Sequence, residues 1–403
     1  MKEQKMPLGL YIHIPFCAQK CAYCDFYSLP GAEGKMDEYV RAVSAHLAEV
    51  APRAAQHSVD TIYFGGGTPS YLGPKRLKAL LSSVQKHYAL SADAEITLEA
   101  NPDSAGDWRV LRALRRAGFN RISLGMQSAI EEELRAVGRI HTFEQVRAAV
   151  AAARKAKLKN VSLDLIYGLP GQTMESFSSS LRAAVALEPE HISCYGLKLE
   201  EGTPLYAARD TFSAADDDLQ ADMYLFAVSF LQEAGFVQYE ISNFARPGFE
   251  SRHNLKYWTL SEYAGFGPGA HSDFGGVRYA FDRDLDAYIN GALRGGQMPI
   301  ECEDLPAWTR DTEYLMLTLR TVRGLDPRTF ENTFRQRFAP FLPLLERYEA
   351  LGLAVRGTDS TWHFTPRGFL VSNTLIGELL DALSAEKQRR FDATARGDFI
   401  VRT

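Results

Sequence analysis

The chain has 403 residues, 46% of them hydrophobic, which is the composition of a folded globular protein and excludes a disordered chain, a collagen-like repeat and a coiled coil. Its 45 Lys and Arg against 50 Asp and Glu leave a formal net charge of −5, which argues against a broad electrostatic grip on nucleic acid. No run of about 18 apolar residues is present to cross a membrane.

In chain order, the N-terminal run MKEQKMPLGLYIHIPFC is broken by His13 and lacks a small-residue cleavage site, so no signal peptide is expected and a cytoplasmic location is. Strands are predicted at 10–14, 59–64, 95–99, 120–127, 160–166 and 191–197. Amphipathic helices are predicted between them, at 75–87, 108–117, 142–156 and 174–187. Repeated strand–helix units predict an α/β protein with a parallel sheet, either open and doubly wound or an incomplete (β/α) barrel. Both put the active site at the C-terminal ends of the strands. Beyond about 290 the pattern changes to helices at 308–320, 326–334 and 340–351, a hairpin at 352–364 and a last helix at 366–383. The expected domains are therefore 1–290 and a small helical, winged domain at 291–403. The helix at 340–351 carries one basic residue, Arg347, beside Glu346 and Glu349, which favours packing over DNA reading.

Three of the five cysteines, Cys17, Cys21 and Cys24, lie within eight residues at the spacing C-x3-C-x2-C. An odd, clustered count does not describe a disulfide framework; it suggests metal ligands in a reducing compartment. Three thiolates on a tight loop after a strand hold three irons of a [4Fe–4S] cube. The fourth iron is left open, and an open metal position is where a substrate binds. Zinc would want a fourth ligand that the loop does not supply, since His13 lies back in the strand. Cys194 and Cys302 read as incidental.

That spacing, the phrase Tyr11-Ile-His13-Ile-Pro15-Phe16-Cys17, and the later runs GGGTPSYL, EITLEANP, GFNRISLGMQS, DLIYGLPGQT and YEISNFARPG resemble the radical S-adenosylmethionine (SAM) superfamily. Within it they resemble the oxygen-independent coproporphyrinogen III oxidase family and its HemW-type branch of heme chaperones. The resemblance covers nearly the whole chain. It implies an incomplete (β/α)6 TIM-like barrel with a small C-terminal domain. It implies a [4Fe–4S] cluster on Cys17, Cys21 and Cys24, chelated by SAM, which one electron cleaves to a 5′-deoxyadenosyl radical. It also implies SAM contacts at Tyr11, Gly66, Gly67, Thr68, Glu99, Gln127, Arg139 and Asp164. Consecutive glycines let backbone approach a ligand. Arg139 can pair with a carboxylate in bidentate fashion. Asp164, in an otherwise apolar strand, needs a partner. Lys198 departs from the small residue that the oxidase has there.

Two departures from the oxidase point to the chaperone branch. The oxidase carries a fourth cysteine two residues after the third, where this chain has Phe26, and a longer segment ahead of its cluster than the 16 residues found here. A gain points the same way: His253-Asn254-Leu-Lys-Tyr257-Trp258 matches an H-N-x-x-Y-W motif associated with heme in that branch. Imidazole is an axial heme ligand, and Tyr257 and Trp258 offer flat apolar faces. The Cys that many members carry two residues before this His is Ser251, and His271 reads as a loop histidine. The resemblance thus implies a heme chaperone with a heme-acceptor protein such as a respiratory enzyme, an electron donor to the cluster, and peripheral membrane association through the acceptor. The alternative is oxidative decarboxylation of coproporphyrinogen III.

Overall fold

The computed structural model describes residues 5–295, 298, 300–303 and 309–395. The chain divides into two compact units. Met1–Val237, Ser242–Lys256 and Ser261–Asp304 form the first; Gln238–Ile241, Tyr257–Leu260 and Leu305–Thr403 form the second.

The first unit is built on six parallel strands that pair in chain order: β1 (Met6–Ile14), β2 (His57–Gly66), β3 (Leu90–Ala100), β4 (Arg121–Gln127), β5 (Asn160–Tyr167) and β6 (His191–Gly196). Each answers to a strand read from the sequence. Beyond β6 lies an antiparallel strand, β7 (Asn243–Ala245). Beyond β1 lie parallel β8 (Tyr263–Phe266) and then antiparallel β9 (His271–Phe274), β10 (Val277–Phe281) and β11 (Ile300–Glu303). The six parallel strands are neighbours in chain order with no reversal, as in a (β/α) barrel and unlike a doubly wound sheet, and they do not close on themselves, so the array is an incomplete barrel with an antiparallel extension. These extra strands are three to five residues long and were not expected from the sequence. They carry the first unit past 290. The boundary expected there falls inside the helix Leu285–Arg294, whose Tyr288 hydroxyl meets His46 Nδ1 at 2.8 Å within the same unit. Cys302 lies exposed on β11.

Side chains alternate across a strand, and here the two faces differ in chemistry. One face of the parallel array is aliphatic and buried under the helices: Leu10 and Ile12, Ile62 and Phe64, Ile96 and Leu98, Ile122 and Leu124, Leu163 and Leu165, Ile192. Cys194 belongs to this face, and burial pushes its thiol up to about 12. The other face is polar or aromatic: Tyr11 and His13, Thr61 and Tyr63, Thr97 and Glu99, Arg121 and Ser123, Ser162 and Asp164, His191 and Ser193. Much of this polar face bonds within itself: Tyr11 to His13, Tyr63 to Glu99, Ser123 and Ser162 to Asp164, and Ser162 to His191. Thr142 and Thr173 start the helices Phe143–Lys155 and Met174–Val185 with reciprocal capping boxes, which fixes where the chain leaves β4 and β5.

The second unit holds the helices Arg310–Thr318, Pro327–Phe334 and Leu342–Ala350, a hairpin of Ala354–Arg356 with Trp362–Phe364, and the helices Pro366–Leu370 and Ser372–Ala395. Trp308, expected in the first of these helices, lies outside the described residues. The single helix expected at 366–383 is two, broken at Val371. Phe330, Phe341, Leu345, Tyr348 and Trp362 form its core. Arg347, the one basic residue of its helix, is engaged by Glu378. No helix among the described residues is long and apolar enough to cross a membrane.

Candidate functional site

A cavity of about 470 Å³ opens at the C-terminal ends of the parallel strands and reaches into the polar interior. Cys17, Cys21 and Cys24 line it together. Their loop is closed by a short parallel pairing of Phe16 with Leu29 and Cys17 with Pro30. It is pinned by the Ala22 amide, which donates to Val137 O at 3.0 Å, and the Cys24 amide, which donates to Cys21 O at 3.2 Å. Burial pushes the Cys17 and Cys24 thiols up. Among the described residues no three Cys, His, Asp or Glu gather as one metal ion would need. The three thiols face one cavity from a single loop, the donor set that a [4Fe–4S] cluster takes from three cysteines.

Six of the residues expected to contact SAM besides the cysteines share this cavity with Thr68: Gly66, Gly67, Glu99, Gln127, Arg139 and Asp164. Gly66 has φ 111°, and a Cβ there would lie 2.7 Å from the His13 ring. A Cβ on Gly67 would meet Ile14 O at 2.9 Å and Cys17 Sγ at 3.0 Å. Only glycine leaves this corner open. Gln127 takes the left-handed conformation, φ 62°, at a register shift in the β4–β5 pairing. A non-glycine residue held there is strained backbone of the kind that gathers at ligand sites.

Glu99 accepts from the Tyr63 hydroxyl at 2.7 Å and from the Gly66 amide at 3.2 Å. Burial raises its carboxyl to about 7, against the pull of the Tyr63 bond. Asp164 accepts from Ser123 at 3.0 Å and Ser162 at 3.3 Å; burial raises it too, opposed by a bond from Ser193 and by Arg121. Arg139 donates to Gly125 O at 2.8 Å and Asn101 Oδ1 at 3.0 Å, with Nη1 at 3.5 Å from Cys21 Sγ. Its Nε is buried without a hydrogen-bond partner. Thr68 is turned to the cysteine loop: its hydroxyl is 3.2 Å from Cys17 Sγ and accepts from Asn101 Nδ2 at 3.3 Å.

Tyr11 lies apart from these residues. It does not line the cavity; its hydroxyl meets His13 Nδ1 at 3.0 Å and its ring lies beneath Tyr63, at 6.3 Å between centroids. His253 is fully buried inside the strand array, its ring stacked at 5.2 Å on Tyr63 and its Nδ1 2.8 Å from Thr61 Oγ1. Burial pushes its imidazole down to about 3. The Glu95 carboxylate accepts from the Arg252 and His253 amides and so holds the start of the helix Arg252–Trp258 against β3. A ring enclosed in this way is not presented to heme iron. Its neighbour Asn254 lines the cavity, whereas Tyr257 and Trp258 are half-buried and fall in the second unit. His271 starts β9 and is exposed.

Sequence reading missed Tyr63, Asn101, Arg121, Ser123 and Ser193, all of which line the cavity. The strand ends had been singled out, but the period of two along each strand also places these residues on the interior face.

The sequence profile of the radical SAM superfamily matches residues 11–184, and that of the HemN C-terminal domain matches residues 305–371. The chain is 39% identical over 326 residues to the heme chaperone HemW of Mycobacterium tuberculosis, covering 79% of this chain and 83% of that one. It is 33% identical over 376 residues to the heme chaperone HemW of Bacillus subtilis, covering 93% and 99%. Among solved structures it is similar to the coproporphyrinogen III oxidase HemN of Escherichia coli, a radical SAM enzyme, with a TM-score of 0.80 and 26% identity over 92% of this chain and 89% of that one.

Proposed function

Because the chain belongs to the HemW heme chaperone family of the radical SAM superfamily, we propose that it binds heme and passes it to an acceptor protein, with a [4Fe–4S] cluster and SAM resident in the cavity. The observation that carries this reading is the identity to heme chaperones over nearly the full length of both chains. Phe26, where the oxidase has a fourth cysteine, agrees with it.

Cys17, Cys21 and Cys24 would hold the cluster. The fit is supported by three thiols on one cavity, the corner that only Gly66 and Gly67 leave open, and the unpartnered Nε of Arg139. When bound, the cluster and SAM supply one-electron chemistry beside that loop. The chain's own residues orient and tune. Thr68 fixes the Cys17 sulfur. Arg139 sets a cation 3.5 Å from the Cys21 sulfur. Glu99 and Asp164 offer carboxylates to the ammonium and sulfonium charges of SAM or to its ribose hydroxyls, and Gln127 closes the same rim. The acceptor would be a respiratory hemoprotein met at the membrane periphery, the working place the cytoplasm, and the cluster would draw its electron from a separate donor protein.

The second reading, coproporphyrinogen III decarboxylation, is favoured by the fold similarity to the oxidase. Heme transfer separates the two. Heme-loaded, cluster-reconstituted protein mixed with the apo form of a respiratory b-type hemoprotein should lose its Soret absorbance as the acceptor's rises. Heme that stays on the chain while free hemin loads the same acceptor would contradict the chaperone reading.

A further inference from the structure

The residues that the heme motif suggested are poorly disposed to take heme: His253 is sealed inside the strand array. The cavity itself is no better, because its inner wall carries Glu99, Asp164 and Arg121. An apolar macrocycle would strand those charged groups without water. The mouth of the cavity has the opposite chemistry. Phe26, on the loop just after Cys24, is 68% exposed, and Tyr195, at the end of β6, is 41% exposed. Both line the opening, with Leu197 beside them. Single exposed apolar residues are ordinary, but two aromatic rings from separate elements flanking one opening form an apolar rim.

The rim also carries charge. Lys20 and Lys198 stand on it with Asp25 and Glu200. Lys198 Nζ is 2.7 Å from Glu200 Oε1, and Asp25 is 3.9 Å from Arg283. Lys20 makes no ion pair among the described residues, so with Lys198 held by Glu200 and Asp25 by Arg283 it is the cation the rim offers. A flat apolar ring edged by carboxylates matches such a surface: aromatic faces take the ring and an ammonium group takes a carboxylate.

Resting on the heme-binding reading, we propose that heme seats on the mouth of the cavity, its macrocycle against Phe26 and Tyr195 and a propionate on Lys20. Seated there it caps the cavity, over the cysteine loop. Phe26 is then a ring-binding residue in its own right, and not merely the place where a cysteine is missing. His253 is a positioning residue, under the floor and away from the iron.

The test is a hemin titration of the full chain, purified anaerobically with its cluster reconstituted and its iron content checked. Phe26→Ala and Tyr195→Ala should each weaken heme binding about tenfold. Lys20→Glu should weaken it several-fold, and more at low salt than at high. Phe391→Ala, which removes an equally exposed ring of the other unit, should change nothing. His253→Gln, in the fraction that remains folded by circular dichroism, should keep the wild-type Soret position. Tyr195→Ala lies away from the cysteine loop, so it still decides the matter if Phe26→Ala disturbs the cluster. Wild-type affinity in both Tyr195→Ala and Lys20→Glu would overturn the site, as would a Soret shift in His253→Gln. Wild-type protein that binds no heme would overturn the heme-chaperone reading itself.

Discussion

Glu99 connects burial to ligand binding within one side chain. Its carboxyl titrates near 4.5 in the unfolded chain and at about 7 in the folded one. Between those values the folded chain binds more protons, so stability falls as pH rises toward 7 and the ionised form is then established. That ionised form is what a cationic ligand selects. SAM affinity should therefore rise between about pH 6 and about pH 8 by roughly tenfold at most, since one pKa unit corresponds to that factor. Glu99→Gln should bind SAM more weakly at pH 8 and lose this dependence, as calorimetry on the anaerobic protein can read. The same pH slope in the variant would remove Glu99 from the SAM contacts. At this scale the sequence was legible where spacing alone fixes the chemistry, as at Cys17, Cys21 and Cys24. It was not legible where burial decides. Nothing local to His253 tells that Tyr11, Tyr63 and Thr61, distant in sequence, will enclose it.

At the scale of elements, the helix Arg252–Trp258 is fastened through its first turn to the floor of the strand array. Glu95 takes its first amides, His253 fills the space beside Tyr11 and Tyr63, and Lys256 Nζ reaches Asp60 at 2.8 Å. His253→Ala removes a buried ring and the Thr61 bond together, so it should destabilise the first unit by about 2–4 kcal/mol. A lowered midpoint in denaturant with an unchanged slope would show it. An unchanged midpoint would mean that the ring does not carry this packing. The six parallel strands were readable because each is an apolar run bounded by turn residues. β7 to β11 were not, because strands of three to five residues carry too few alternations to stand out. The break at Val371 was hidden for a related reason: the apolar period runs straight through it, and the helix restarts one residue later.

At the scale of the whole molecule, the structure assigns the short segments Gln238–Ile241 and Tyr257–Leu260 to the smaller of the two units. No periodicity marks such excursions, because they are defined by which core they join. The motif His253 to Trp258 is divided the same way, its histidine in one unit and its aromatic pair in the other. Radical SAM architecture is common to chaperone and oxidase, so the fold does not choose between them; Phe26 and the family identity do. The most direct test is an anaerobic assay of the cluster-reconstituted chain with coproporphyrinogen III, SAM and a strong reductant, run beside a heme titration. We predict stoichiometric heme binding and no protoporphyrinogen above the level of a Cys17→Ala control. Protoporphyrinogen formed at about 1 per second or faster, the range of ordinary enzymes, would contradict the account.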